Sequence, residues 1–410
     1  MEGMLRRWMA VHRLTAALAL AVLAWGTGEA AAQNEIVIGQ TVPYSGPVSA
    51  LSVIGNTQQA FFTRLNEQGG IVGRKIRLLS LDDGYSPPKT VEMTRRLVEN
   101  DNVLLMFASV GTPTNAAVHK YLNSRKVPQL FVTSGASRWA DPTKFPWTMG
   151  WQQSYVGEAR VFAKYVLANI KDAKIAILSQ NDDSGKDMIA GFMDGLGEAG
   201  ARLVVRSVTY EATDPTVDSQ VIDLKASGAT VFMNFATPKF AAQAIRRAHE
   251  TGWHPTQFVS SVSASIAAVL KPAGVEAAKG VIVTQYVKDT TDPTWKDDPA
   301  MQEYLSFMSK YYPQGNVADQ FGVLAYSIAQ TLVQTLEQCR GEITRERVMQ
   351  EAANLHHLRL PMLLPGIEIN TSPTNFNPIQ QARLARFNGD TYELFGDVIE
   401  VGQPAHATPK

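Results

Sequence analysis

The sequence predicts an α/β protein made of two domains, each with a parallel sheet flanked by helices. The first observation is length, because 410 residues exceed what one hydrophobic core usually supports and indicate two domains of roughly 150 to 200 residues. The second is the alternation of strand-length apolar runs with helix-length segments. The third is a β-α-β unit over residues 102–138, where the apolar runs 103–108 and 127–133 enclose a short helical segment.

The first 32 residues differ in character from the rest of the chain. Three arginines between positions 6 and 13 form a positive head, residues 14–25 are apolar but too short to span a bilayer comfortably, and Ala30–Ala32 offers a small-residue cleavage site. This pattern predicts a secretory signal peptide over residues 1–32, cleaved near Ala32, and export to the periplasm. An uncleaved membrane anchor is the alternative.

Glycine and proline mark the boundaries of several predicted elements. Gly69 and Gly70 end the first helix, because glycine adopts the left-handed geometry of a helix C-cap. Pro87 and Pro88 begin the second helix, whose first turn tolerates a residue without an N–H group. The predicted strands span residues 35–41, 75–82, 103–108, 127–133, 174–179, 202–210, 230–235, 257–261 and 281–286. The predicted helices span residues 55–68, 86–100, 157–169, 186–199, 219–226, 240–251, 299–311 and 318–340, and residues 390–401 form a β-hairpin arm.

Composition and motifs argue against several classes of function. Thirty-eight basic residues balance 38 acidic ones, so the chain has no basic surplus to attract nucleic acid, and no nucleic-acid partner is expected. The sequence holds no His/Cys cluster with metal-ligand spacing, no G-x-S-x-G and no G-x-x-x-x-G-K. We therefore expect no enzyme, no metal and no cofactor. The single cysteine, Cys339, has no partner for a disulfide.

Small hydroxylated and glycyl residues follow the two strands of the β-α-β unit, in the loops Ser109–Thr112 and Thr133–Ser137. In an open parallel sheet, ligands sit beyond the carboxyl ends of the strands, where helix N-termini and bare amides favour negative charge. Both loops are therefore predicted to face one ligand crevice. The alternative is that they are ordinary turns capped by serine and threonine.

Several motifs, in order and spacing, resemble the leucine/isoleucine/valine-type periplasmic solute-binding proteins of ABC importers. They include Ser45–Pro47, the segment Asn66–Gly73, and the pair Asp82-Asp83 followed by Pro88. The resemblance continues through the β-α-β unit, Ala176–Leu178 and the helices that end near Leu336. It covers essentially the whole mature chain.

This resemblance implies two doubly wound parallel-sheet α/β lobes joined by three crossovers, which close around a ligand. The implied first lobe takes residues 34–149 and 287–360, and the second takes residues 150–286 and 361–400, with a tail over 401–410. A monomer that delivers a small-molecule ligand to the membrane permease of an ABC importer is the implied mode of action. A ligand-sensing module that reports to a membrane partner is the alternative.

The resemblance also assigns residues to the ligand pocket. In amino-acid binders of this family, a hydroxyl and backbone N–H groups hold the ligand carboxylate, and Thr112, in the loop that begins at Ser109, matches that hydroxyl. A second group of amides and a hydroxyl is matched by Ser134, Gly135, Ala136 and Ser137. The alternative role for Thr112 is to cap the following helix.

The ammonium side of the pocket departs from the family pattern. Amino-acid binders place an acidic residue where this chain has Val262, and a buried ammonium without a counter-charge costs several kcal/mol. The family's pocket tyrosines are replaced by Leu51, Ser184 and Thr237. We therefore expect a carboxylate that lacks an α-ammonium group. An amino acid, with Asp182 or Asp183 receiving its cation, is the alternative.

Aromatic side chains next to the expected pocket loops favour an aromatic acid as the ligand. They are Phe107, Trp151, Tyr155 and Phe240. For each of them, a place in the hydrophobic core is the alternative.

Overall fold

The computed structural model describes residues 35–401, which fold as two α/β lobes, each built around one sheet. The predicted signal peptide over residues 1–32 lies outside the described residues, as does the predicted tail beyond residue 401. Among the helices within 35–401, none is long and apolar enough to cross a membrane.

Five parallel strands form the sheet of the first lobe, in the order β2-β1-β3-β4-β5. Because β2 lies on one side of β1 and β3 on the other, the chain direction switches beside β1, and a crevice opens there at the carboxyl ends of the strands. The strands are β1 Glu35–Val42, β2 Lys75–Asp82, β3 Met106–Phe107, β4 Gln129–Val132 and β5 Thr148–Gly150.

Seven strands form the sheet of the second lobe, in the order β12-β11-β10-β9-β8-β6-β7. Strands β6 to β10 are parallel, with a second switch point between β6 and β8, whereas β11 and β12 form an antiparallel hairpin on the edge. The strands are β6 Ile175–Gln180, β7 Val204–Tyr210, β8 Val231–Phe235, β9 Thr256–Val259, β10 Ile282–Gln285, β11 Gln381–Phe387 and β12 Tyr392–Glu400.

Helices of eight or more residues cover both sheets. They are α1 Ser52–Glu67, α2 Pro87–Arg95, α3 Thr112–Ser124, α4 Tyr155–Asn169, α5 Asp183–Leu196, α6 Asp218–Ala226, α7 Pro238–Glu250, α8 Pro299–Tyr311, α9 Gln320–Gln338 and α10 Arg345–Ala352. Strands β4 and β8 are buried at every position, which is typical of parallel strands with helices on both faces.

The chain passes between the two sheets three times, after β5, after β10 and before β11. This confirms the predicted class of two parallel-sheet lobes joined by three crossovers, with the addition of the antiparallel edge hairpin. Strands β5 and β11 and helix α10 were not predicted, because β5 has only three residues and the sequence of α10, RERVMQEA, is mostly polar.

The lobe boundaries stay a prediction, but the core packing bears on the tail. Strands β11 and β12 join the sheet of the second lobe. In contrast, the apolar side chains between Leu360 and Ile379 belong to the core cluster that contains Ile36 and Ile38 of β1.

Candidate ligand-binding site

A cavity of about 600 Å³, part of it continuous with solvent, lies where the carboxyl ends of the two sheets face each other. The first lobe contributes Leu51, Ile54, Tyr85, Gly111, Thr112, Thr133, Phe321 and Leu324, and the first crossover contributes Gln152. The second lobe contributes Tyr155, Ser184, Met188, Phe235, Ala236, Thr237, Pro238, Ser260 and Val262.

Half of the residues predicted for the site line this cavity. They are Leu51, Thr112, Tyr155, Ser184, Thr237 and Val262. The other six predicted residues, Ser109, Ser134, Gly135, Ala136, Ser137 and Trp151, lie behind the wall or beside it, and each has a different local reason.

Thr112 begins helix α3 and leaves the N-terminus of that helix open toward the cavity. The preceding residue, Gly111, has a φ of 103°, and no side chain caps the helix. The alternative of Thr112 as an N-cap is therefore wrong, since its hydroxyl bonds to Ser134 Oγ at 2.7 Å instead. Gly111 is required here, because a Cβ would lie 2.5 Å from the ring of Tyr85. Pro113 carries no N–H, and the Gly111 N–H bonds to the Thr133 carbonyl. The Thr112 and Thr114 N–H groups are therefore the ones in this uncapped turn that can attract an anion.

Ser134 supports Thr112 from behind. Its Oγ accepts hydrogen bonds from Trp139 Nε1 at 2.9 Å and from the Ala136 N–H at 3.3 Å. Ala136 itself is buried in the core. Ser134 and Ala136 thus hold the loop that follows β4 in place.

Tyr155 covers this loop from the second-lobe side. A Cβ on Gly135 would lie 2.8 Å from the Tyr155 ring, so glycine allows the ring to pack closely there. Burial raises the pKa of Tyr155 to about 12, although hydrogen bonding by the Gly135 N–H opposes that rise. Tyr155 is therefore a neutral hydroxyl beside Thr112 at every physiological pH.

Ser137 contacts the opposite lobe instead of the cavity. Its N–H and its hydroxyl donate to the two carboxylate oxygens of Asp187 in α5, at 2.7 and 2.9 Å. Next to it, Arg138 Nη2 lies 3.1 Å from Asp183 Oδ2. These four residues, which we call the rim contact, join the two lobes beside the cavity. Burial raises the pKa of Asp187, and the Ser137 hydrogen bonds oppose that rise.

Ser109 and Trp151 serve the core of the first lobe. The Ser109 Oγ accepts the Thr41 N–H at 3.1 Å, which ties the loop after β3 to β1. The Trp151 indole is fully buried and donates to Thr331 Oγ1 at 2.8 Å. Phe107 and Phe240 also lie in hydrophobic core clusters. Of the four aromatic candidates, Tyr155 is therefore the one that lines the cavity.

Ser260 and Val262, after β9, form part of the second-lobe wall of the cavity. Behind it lies Glu158, a fully buried side chain in the first turn of α4. Glu158 Oε1 accepts from the Ser261 N–H and the Thr284 hydroxyl, both at 2.7 Å. Its Oε2 accepts from the hydroxyls of Ser260 at 3.3 Å and Ser261 at 3.2 Å. Four donors thus surround this carboxylate.

Burial raises the pKa of Glu158 to about 7, although its four hydrogen bonds lower it. A group whose pKa is higher in the folded chain gives stability that is fully present below its unfolded pKa of about 4.3 and is lost as the pH rises to 7. A shift of this size corresponds to on the order of 3 kcal/mol. Sequence reasoning missed this residue, because nothing in the sequence distinguishes it from an exposed glutamate.

Glu158→Gln is expected to flatten the dependence of stability on pH. The glutamine has the same shape and does not titrate, and the serine hydroxyls can rotate to accept from its amide. Between pH 5 and pH 8 the unmodified protein should lose roughly 2 to 3 kcal/mol more unfolding free energy than the variant. Urea unfolding at both pH values measures the difference, and parallel pH profiles would contradict it.

Asp182 and Asp183 are engaged by the protein itself. Asp182 caps α5, where Oδ1 accepts the Ser184 N–H at 2.9 Å and the Gly185 N–H at 3.1 Å, and Oδ2 accepts Gln180 Nε2 at 2.6 Å. Asp183 belongs to the rim contact. Neither aspartate lines the cavity.

Several lining residues were missed from the sequence. Tyr85, Gln152 and Ser260 follow strands or a crossover, so the rule that ligands sit beyond strand ends could have found them. Phe321 and Leu324 come from α9, and no local signal distinguishes them from core residues. Within residues 35–401, no group of three or more His, Cys, Asp or Glu side chains could hold a metal ion. The sequence GLGEAG at residues 195–200 has the G-x-G-x-x-G pattern. It lies at the C-terminal end of α5 rather than after a strand, so it is not a dinucleotide-binding motif.

A model of the periplasmic binding protein family matches residues 35–391. The chain belongs to the periplasmic binding protein family. Among its relatives, this periplasmic binding protein is similar to Leu/Ile/Val-binding protein homolog 7 of Brucella abortus, with 24% identity over 346 residues, which covers 79% of this chain and 82% of the relative.

Two solved structures share the fold of this periplasmic binding protein. A branched-chain amino acid ABC transporter protein from Thermus thermophilus with bound valine has a TM-score of 0.79 and 16% identity, over 89% of this chain and 96% of that chain. A fatty acid ABC transporter substrate-binding protein from Thermomonospora curvata has a TM-score of 0.76 and 21% identity, over 90% of this chain and 92% of that chain. At these identities the likeness establishes the fold.

Proposed function

We propose that this protein is the substrate-binding component of an ABC importer and captures a small carboxylate that lacks an α-ammonium group, with an aromatic acid preferred. The observation that carries the proposal is the asymmetry of the cavity. The first-lobe wall offers the uncapped N-terminus of α3 and the Thr112 hydroxyl. The second-lobe wall also offers hydroxyls and the N-terminus of α7 at Thr237, but it has Val262 where an amine would need a counter-charge.

The carboxylate side combines three sources of hydrogen bonding or positive potential. These are the first-turn N–H groups of α3, the Thr112 hydroxyl and the Tyr155 hydroxyl. An anion at such a helix end needs no basic side chain. Among the cavity-lining residues of the described chain, none is a lysine, arginine or histidine. The helix end and the hydroxyls must therefore hold the acid group.

The rest of the cavity suits an apolar body. Phe235, Phe321, Leu324 and Met188 line it, and Leu51 stands where related amino-acid binders have a tyrosine. An aromatic ring fills such a space with a large apolar area and few rotatable bonds. The fatty acid-binding neighbour from Thermomonospora curvata is named for a ligand with a carboxylate and no α-ammonium, which supports this use of the fold.

An amino acid is the second candidate, and Glu158 is the observation that favours it. Its carboxylate lies behind the cavity-lining hydroxyl of Ser260, 3.3 Å from Ser260 Oγ. The neighbour from Thermus thermophilus holds valine. Against this candidate, all four hydrogen bonds to Glu158 come from the protein, and burial favours its neutral form.

We also propose export to the periplasm, cleavage near Ala32 and action as a monomer with a membrane permease as its partner. The family is named for periplasmic binding, and the first 32 residues have the pattern of a signal peptide. The intact mass of the exported protein tests the cleavage, and an uncleaved N-terminus in a membrane fraction would contradict it.

Thr112→Val is expected to weaken binding of 3-phenylpropanoate by roughly tenfold or more, because a hydrogen bond to a charged group contributes about 1.5 to 3 kcal/mol. Valine keeps the shape of threonine and removes the hydroxyl. Isothermal titration calorimetry gives the dissociation constants, with Thr112→Ser as the control that retains the hydroxyl. Equal affinities of the two variants would remove Thr112 from the carboxylate site.

A further inference from the structure

The direction of the hydrogen bonds behind the cavity wall is fixed at Ser134. A serine oxygen has two lone pairs and one proton. At Ser134 both lone pairs are occupied, by Trp139 Nε1–H at 2.9 Å and by the Ala136 N–H at 3.3 Å. The Ser134 proton must therefore be donated, and Thr112 Oγ1 at 2.7 Å is its acceptor.

This direction leaves one hydroxyl proton for the cavity. The hydroxyls of Ser134 and Thr112 are hydrogen-bonded, and the Tyr155 hydroxyl lies beside them, so we call these three the hydroxyl cluster. Three hydroxyls can satisfy all their protons internally if each donates to the next in a closed ring. The ring cannot close here, because Ser134 has no lone pair left to receive a proton from Tyr155 or Thr112. One proton, on Thr112 or Tyr155, must find its acceptor in the cavity.

Trp139 prevents the three hydroxyls from forming a closed cycle of hydrogen bonds. An indole N–H can only donate, so it occupies a lone pair of Ser134 in every protonation state of the site. The indole is 2% exposed, and the His119 ring packs on it edge to face at 5.1 Å. Trp139 does not line the cavity. Its N–H is thus held in place independently of any ligand.

We propose that Trp139 is a positioning residue that sets the polarity of the hydroxyl cluster, so that Thr112 and Tyr155 present a proton to a ligand carboxylate. This inference rests on the proposed function. Without the indole N–H, Ser134 gains a free lone pair, the ring closes, and the cluster turns a lone pair instead of a proton toward the ligand. A carboxylate, which only accepts, then loses affinity. A primary amide, which also donates, tolerates either polarity.

The test measures the dissociation constants of 3-phenylpropanoate and 3-phenylpropanamide for Trp139→Phe by calorimetry. We expect the acid to bind roughly fivefold to tenfold more weakly and the amide to bind unchanged. The matched control is Trp253→Phe, which also removes a buried indole hydrogen bond, to the Ala229 carbonyl at 2.8 Å, in the core of the second lobe. Its ratio of acid to amide affinity should equal that of the unmodified protein.

The ratio of acid affinity to amide affinity distinguishes a change in hydroxyl polarity from a general loss of packing. An equal loss for acid and amide, or the same ratio in Trp139→Phe and Trp253→Phe, would overturn the role of Trp139 and leave the proposed function standing. If the unmodified protein binds neither 3-phenylpropanoate nor other carboxylates, the proposed function falls and this inference falls with it. If Trp139→Phe does not fold, Ala136→Pro removes the other N–H donor to Ser134 at a φ of −65° that proline adopts, so it frees the other lone pair and should lower the same ratio.

Discussion

Val262→Glu is expected to lower the affinity for 3-phenylpropanoate by roughly a hundredfold. Val262 lines the second-lobe wall of the cavity, and a glutamate there would place a second negative charge beside the bound acid. Two like charges 4 Å apart repel by about 4 kcal/mol at an effective dielectric constant of 20, and by less at larger separations. The same carboxylate supplies the counter-charge that an amine needs, so L-phenylalanine should bind the variant more tightly than it binds the unmodified protein.

Val262→Gln is the control for this change, because it has the size and polarity of glutamate without the charge. Calorimetric titration of both variants with the acid and the amino acid separates charge from volume. Equal losses of acid affinity in the two variants would show that Val262 contributes shape alone.

Asp187→Ala is expected to weaken ligand binding by roughly tenfold or more through faster dissociation. Asp187 accepts two hydrogen bonds from Ser137 across the lobes, and hydrogen bonds to a charged acceptor contribute about 1.5 to 3 kcal/mol each. Because these bonds join the two lobes, losing them destabilises the closed form specifically. Stopped-flow dissociation rates and the radius of gyration at saturating ligand measure the effect, which should be a faster rate and a larger radius.

Asp194→Ala is the matched control, since Asp194 lies on the same helix and pairs with Arg160 of α4 inside the second lobe. Its loss should leave the dissociation rate unchanged. Equal rates for Asp187→Ala and Asp194→Ala would mean that the rim contact does not hold the lobes closed.

The sequence predicts elements well where local signals agree with the fold. Residues 75–82 and 299–311 have the predicted bounds, because a glycine-rich turn precedes the strand and a proline opens the helix. Strand β3 is shorter than its apolar run because Ala108, directly after it, has a φ of 47°, although the Leu104 N–H and the Leu105 carbonyl also bond to residues of β1. An apolar run in the sequence indicates that its residues are buried, and it is only indirect evidence of how many of them pair as a strand.

Residues of the candidate site can be predicted from the sequence where the course of the backbone alone brings them to the cavity. Thr112, Ser184 and Thr237 stand at strand ends beside the switch points, so topology and family resemblance place them at the cavity. Ser137 and Trp151 stand equally near strand ends, but their side chains hydrogen-bond to Asp187 and Thr331 and do not line the cavity. The direction of a loop side chain depends on partners 50 and 180 residues away, which no local pattern encodes.

Some residues that carry the family resemblance prove to be structural. Asp82 accepts the Ser45 N–H at 3.1 Å and the Ser45 hydroxyl at 2.6 Å, and it also accepts the Gly84 N–H at 2.9 Å. Gly46 has a φ of 84°, and a Cβ there would lie 2.7 Å from the Gly84 carbonyl oxygen. These contacts clamp the loops after β1 and β2 together, and they shape the crevice without lining it.

The preference for a carboxylate without an α-ammonium is tested most directly by calorimetry with two matched pairs of ligands. 3-Phenylpropanoate and L-phenylalanine differ only by the α-ammonium group, as do 4-methylpentanoate and L-leucine. The cavity, with an open helix end at Thr112 and an uncharged wall at Val262, should bind each acid more tightly than its amino acid, and the phenyl acid more tightly than the branched one. Tight binding of L-leucine or L-phenylalanine with no heat from either acid would contradict this and would turn attention to Glu158 as the group that receives an amine.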